Sequence, residues 1–147
     1  LLAPSALATP RRAVVGWDGN RLAMLLAVLE ARCGLVMSNR DVYLNVAGGL
    51  KLGDRAADLA AAAALLASFT GRPAPEDTVY FGEVSLTGAV RAVGHMDQRL
   101  KEATKLGFTR GVVPAACAPD RQLQEIRLMP LSQLSELVAW FGLPERD

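Results

Sequence analysis

The sequence predicts an α/β domain with helices layered on sheet, two or three layers deep. Short β-rich runs alternate with segments of helical periodicity along the chain, the pattern that leads to helices packed on a sheet. One helix, between Gly53 and Gly71, is so rich in alanine that it has almost no polar face, which requires packing on several sides. No internal repeat and no low-complexity linker divides the chain, beyond a proline-rich turn at Arg72 to Pro75.

In order, residues 1–16 read as an irregular, proline-broken stretch that turns extended at Ala13-Val14-Val15. Leu22, Leu25, Leu26 and Leu29 then recur at helical spacing, which predicts an amphipathic helix over 20–32, capped by Asp18 or Asn20 and stopped by Gly34. Val42, Leu44 and Val46 alternate with Tyr43, Asn45 and Ala47, a strand pattern that ends at Gly48-Gly49. The alanine helix follows, with Asp54 as N-cap, Gly71 with Pro73 and Pro75 as stop, and Asp58 placed where the helix dipole favours a carboxylate. A strand over 78–84 and a second over 89–93 flank Leu86-Thr87-Gly88, which predicts a hairpin. A helix over 97–106, a short strand at Gly111-Val112-Val113, a strand over 126–129 and a final helix over 131–141, with Leu134, Leu137 and Phe141 on one face, complete the order.

At 147 residues the chain is long enough to bury a core without metal or disulfide staples. A hydrophobic share of 51% with 21% charge excludes disorder. The net charge of +1 excludes a strong overall field for polyanions but leaves room for local patches. Thirteen of the sixteen basic residues are arginine, whose fork suits phosphates and carboxylates; codon composition produces the same bias. Cys33 and Cys117 lie far apart with no Cys-x-x-Cys or Cys/His spacing, so they read as reduced thiols of a cytoplasmic protein and not as a disulfide frame or a metal site. No apolar run is long enough to cross a bilayer, and the start lacks the basic segment of a signal peptide. The chain opens on Leu1, and the expectation is a piece of a longer protein.

The loop Gly48-Gly49-Leu50-Lys51-Leu52-Gly53 follows a strand and precedes a helix, as a phosphate-binding loop does. It lacks the terminal Gly-Lys-Ser/Thr, and Asp54 repels phosphate, so the glycines read as turn formers. None of Ser5, Ser38, Ser68, Ser85, Ser132 and Ser135 sits in a Gly-x-Ser-x-Gly elbow. A Ser-Lys dyad has only Lys51, Lys101 or Lys105 to draw on. His95, the single histidine, reads as a surface or cap residue, and Glu83 as a carboxylate that ties a loop or a subunit contact. Arg11, Arg12, Arg40, Lys51 and Arg55 lie near element ends, and a fold that gathered those ends would make a patch for nucleic-acid backbone. The alternative is ordinary solvated charge. Trp17, Trp140, Tyr43 and Tyr80 have no spacing of a base-stacking platform.

These residues carry a resemblance. Strand, Gly48-Gly49, small-residue helix, Gly82-Glu83-Val84-Ser85-Leu86-Thr87-Gly88, Gly94 to Leu100, Gly107-Phe108 and Val112-Val113-Pro114 follow an order similar to the proteolytic domain of Lon. Arg11-Arg12, the run Asp18-Gly19-Asn20-Arg21-Leu22-Ala23-Met24-Leu25, and Ala57-Asp58-Leu59 resemble more closely the C-terminal Lon-like domain of the RadA (Sms) family of bacterial DNA repair and recombination ATPases. The resemblance covers nearly the whole chain and implies the Lon-protease-like, ribosomal-protein-S5-domain-2-like fold.

Active Lon-like peptidases carry a serine nucleophile at the helix start and a lysine base in a later Gly-Gly-Leu-Lys. On this chain the serine position falls on Ala56 and the lysine position on Asp97, and a slip of register to Gln98 or Arg99 serves no better. Alanine has no nucleophile and aspartate cannot act as the neutral amine that takes a serine proton. The resemblance therefore implies a catalytically inert scaffold that assembles a homohexameric ring and turns Arg11, Arg12, Arg40, Lys51 and Arg55 toward DNA. It implies no cofactor here: zinc, ATP and magnesium belong to an upstream zinc finger and RecA-like core. Two rivals stand beside it, a working peptidase built on another serine with Lys51 or Lys101, and a small-molecule or nucleotide site left at the old active centre.

Overall fold

The computed structural model describes residues 1–119 and 125–143. Strand β1 (Leu2–Pro4) and strand β2 (Arg12–Val15) flank β3 (Arg40–Asn45) in a mixed sheet, β1 antiparallel and β2 parallel to β3. The stretch expected to be largely irregular thus supplies two strands. Helix α1 (Gly19–Cys33) makes the β2-to-β3 crossover. Asp18 is its cap, accepting the Asn20 amide at 2.7 Å and the Arg21 amide at 3.2 Å, and Gly34 ends it in the left-handed conformation. Leu22, Leu25, Leu26 and Leu29 are buried as their spacing predicts, joined by Val28 and Cys33.

Helix α2 (Asp58–Thr70) is the alanine helix. Asp54 does not cap it directly: its carboxylate accepts the Ala56 amide at 2.9 Å and caps a 3-10 turn, Arg55–Ala57, that runs into α2. Leu59, Ala62, Ala63, Leu65 and Leu66 are buried, and only Ala64 is exposed. The Leu2 amide donates to Ser68 at 2.9 Å and ties β1 to this helix.

Strands β4 (Thr78–Tyr80), β7 (Arg110–Pro114) and β8 (Arg127–Leu131) form a parallel sheet in the order β4-β7-β8. Between β4 and β7 lie a two-stranded hairpin, β5 (Glu83–Val84) with β6 (Val90–Arg91), and helix α3 (Met96–Lys105). The hairpin forms about the expected turn, but the single strand expected over 78–84 breaks at Phe81-Gly82. The break has a packing reason. The Gly82 amide donates to Ala56 and the Leu59 amide to Gly82, each at 3.0 Å, so this backbone leaves the parallel sheet to bond the start of α2. A side chain at Gly82 would press within 3.0 Å of Val90 and 3.2 Å of Leu59.

The last helix, α4 (Leu134–Trp140), starts later than its apolar pattern suggests because Leu131 belongs to β8. Gln133 and Glu136 close a capping box at its start. Val112, Met129, Leu131 and Tyr80 face α2 and α4 in the larger core, together with α1 and the first sheet. Val79, Val113 and Leu128 face α3 in a second cluster around Leu100. The parallel sheet thus lies between two helical layers, and the fold is α/β.

Candidate functional site

Of the two expected peptidase positions, Ala56 lies just before α2 and Asp97 lies in α3. Ala56 is 3% exposed, held in the 3-10 turn by the Asp54 carboxylate on its amide and by the Gly82 amide on its carbonyl. Asp97 stands exposed in the first turn of α3. Arg99, two residues on, donates to the Gly94 carbonyl at 2.8 Å and to the second carboxylate oxygen of Asp54 at 2.7 Å. Its guanidinium lies 5.8 Å from the centre of the Phe81 ring. The Ala56 amide, then Arg99, hold the Asp54 carboxyl below its ordinary value.

His95 precedes α3 with a left-handed backbone, φ 61°, and is exposed, and its side chain caps nothing. His95, Met96, Asp97, Gln98 and Cys117 line an open depression. Cys33 is buried, and burial pushes its thiol pKa up. Among the described residues no helix is long and apolar enough to cross a membrane.

The basic candidates fall into two groups. Arg11, Arg12 and Arg40 gather where β2 and β3 begin. The Arg12 guanidinium donates to the carbonyls of Met37, at 3.2 Å, and Arg40. The Arg40 guanidinium lies over Phe69 of α2, 4.7 Å from the ring centre. The Asp41 carboxylate accepts the Arg11 amide at 2.7 Å, which holds its pKa low, while the Arg11 side chain is exposed. Lys51 and Arg55 lie beyond the far end of β3. The Leu52 amide donates to Gly16 at 2.8 Å and folds the glycine loop over the end of β2. Gly16 has φ +84° and lies so close that a Cβ would come within 2.4 Å of the Leu50 carbonyl oxygen. Arg55 pairs with Glu83 at 3.3 Å, so Glu83 does tie a loop.

The pair Arg21 and Asp58 was not legible as a site. Asp58 is 2% exposed, and Arg21 of α1 donates to both its oxygens while the Val84 amide donates at 3.0 Å. Burial raises its pKa against the pull of these donors. The signal was present: a carboxylate inside an otherwise apolar helix needs a partner.

A family model described as "Subunit ChlI of Mg-chelatase" matches residues 20–117. Over 139 residues the chain is 58% identical to the DNA repair protein RadA of Brucella abortus, covering 95% of this chain and 30% of that protein. It is 54% identical over 137 residues to RadA of Rickettsia conorii and 44% identical over 137 residues to RadA of Escherichia coli, in each case over 93% of this chain and 30% of the relative. The chain belongs to the RadA family. It matches a C-terminal part of these relatives, and spans about 30% of their length. The RadA resemblance carried by Arg11-Arg12 and by the run from Asp18 to Leu25 is thereby borne out, and the latter run forms the cap and first turns of α1.

Proposed function

We propose that this chain is the catalytically inert Lon-like module of a RadA-type DNA repair protein, serving ring assembly and DNA contact during recombination. The observation that carries the inert half is Ala56. At the position of a peptidase nucleophile it offers a methyl group, and the Asp54 carboxylate occupies its amide while Arg99 occupies the carboxylate. A backbone amide that serves an acyl-transfer intermediate must be free to meet a developing oxyanion. Here a fixed anion already holds it.

The DNA half rests on the kinship with RadA proteins and on Arg11, Arg12 and Arg40 standing together where β2 and β3 begin. Homohexamer formation, a cytoplasmic location, and dependence on zinc, ATP and magnesium bound elsewhere in a longer protein are parts of the same proposal. Incubation with unfolded casein and a serine-directed probe tests the inert reading: neither cleavage nor labelling is expected, and labelling lost on replacing one serine overturns it. Light scattering against concentration tests assembly, and a mass that stays monomeric at high concentration counts against a ring-forming module. DNA binding is tested by its salt dependence.

A further inference from the structure

A second cationic feature lies away from both the Ala56 region and the β2–β3 edge. Thr78, Arg110 and Arg127 are register partners across β4, β7 and β8, so they stand side by side at the amino ends of the parallel strands. Adjacent strands are about 4.8 Å apart, and like charges placed directly opposite repel. Asp77 relieves Arg110: three hydrogen bonds of 2.9 to 3.3 Å clamp the guanidinium through Nε and Nη2. Nη1 of Arg110, and Arg127 as a whole, form no ion pair among the described residues.

These arginines stand at the mouth of a cavity of about 440 Å³. Met129 and Pro130 contribute apolar surface, and Trp140 of α4 forms a wall. The Trp140 ring meets Tyr80 and Phe141 edge-on, at interplanar angles of 61° and 85°, so neither is stacked parallel on the indole. Beside it the Tyr80 hydroxyl is buried without a hydrogen-bond partner among the described residues. Tyr80 packs against Trp140 and does not itself line the cavity. The lining of this cavity is more polar than apolar, which suits a charged small molecule.

We propose that the Arg110–Arg127–Trp140 cavity binds a nucleoside monophosphate unit, with the phosphate on the two arginines and the base against Trp140. Arginine forks match phosphate oxygens, and an indole face accepts any base without reading its sequence. The unit comes either from a free nucleotide or from one residue of a single strand. The site is independent of the Arg11–Arg12–Arg40 edge and stands or falls separately from the proposed function.

The test uses this chain with Trp17→Phe, which leaves Trp140 as the reporter. Indole fluorescence is followed on titration with dAMP, inorganic phosphate and an oligothymidylate, and calorimetry repeats the dAMP titration on the unmodified chain. Quenching by dAMP is expected, with phosphate at least about tenfold weaker and Arg127→Ala weakening dAMP by about tenfold. Arg127→Lys is expected to lose less, and Arg11→Ala nothing. Tighter binding of the oligonucleotide than of dAMP identifies a strand as the source, and the reverse identifies the free nucleotide. Absence of binding by both up to roughly millimolar concentration overturns the proposal, as does binding indifferent to Arg127→Ala or phosphate binding as tight as dAMP.

Discussion

Arg99 reaches from α3 to Asp54, donating to one carboxylate oxygen at 2.7 Å, while the other oxygen accepts the Ala56 amide at 2.9 Å. One ion pair thus ties α3 to the turn before α2, next to Ala56 and Asp97, which the proposed reading takes as the positions of a lost Lon-type dyad. Restoring the nucleophile alone should therefore restore nothing. Ala56→Ser is expected to remain unlabelled by a serine-directed probe, because no amine lies at position 97 and the neighbouring amide is already bonded. Labelling of Ser-substituted protein at wild-type background conditions, read by mass spectrometry, would sink this account. Arg99→Ala should raise the Asp54 pKa toward its ordinary value without restoring it, since the larger cause, the Ala56 amide, remains. Carboxyl NMR titration checks it.

Arg21→Met should destabilise the fold by about 2–4 kcal/mol near neutral pH, because it leaves a buried carboxylate with one amide donor. The sign of its pH dependence follows from the direction of the Asp58 shift. Its folded pKa is already raised by burial, so protonation favours the folded state, and losing Arg21 raises it further. The gap between variant and wild type should narrow as pH falls from neutral toward the ordinary carboxylate range. Denaturant titrations at several pH values measure it, and a gap that widens on acidification contradicts the burial argument.

Asp77 behaves in the opposite sense. Bonds first from Arg110, then from Thr109, pull its carboxyl from an ordinary 3.8 down to about 2. Its contribution is present above the ordinary value and is lost as pH falls through about 2. Between those limits Asp77→Asn should show a flatter fall of stability with acid than wild type. Carboxyl NMR gives the titration directly, and a midpoint near 3.8 removes the basis for the clamp.

The helices were legible because their signals are local. Asp18 and Gly34 bracket α1 by side-chain and glycine chemistry, and the alanines around Ala62 and Ala63 announce burial whatever surrounds them. The break at Phe81-Gly82 was not, because it answers to backbone bonds with Ala56 and Leu59, more than twenty residues earlier. For the same reason Ala56 could be placed by resemblance, but Arg99 on Asp54 could not: an ion pair across 45 positions has no periodicity to read. Pattern also failed to separate Arg12 from Arg11. Adjacent at the start of β2 and both exposed, they have the same residue type and differ in what their side chains bond.

That difference gives the last prediction. Arg11 keeps its guanidinium in solvent, while Arg12 donates to the carbonyls of Met37 and Arg40 in the turn leading into β3. Arg11→Ala should leave stability within about 0.5 kcal/mol of wild type and flatten the dependence of log binding constant on log salt by about 0.9 for duplex or 0.7 for single-stranded DNA, one phosphate contact. Arg12→Ala should lower thermal stability by about 1 kcal/mol, because two carbonyls lose their donor. Any loss of DNA binding in Arg12→Ala then has to be corrected for unfolding, and Arg11 is the cleaner reporter of the edge. Lys51→Ala supplies the control from the opposite end of β3. If Lys51→Ala flattens the salt slope and Arg11→Ala does not, the contact with DNA lies at the glycine loop, and the arginine cluster at the start of β2 and β3 serves packing.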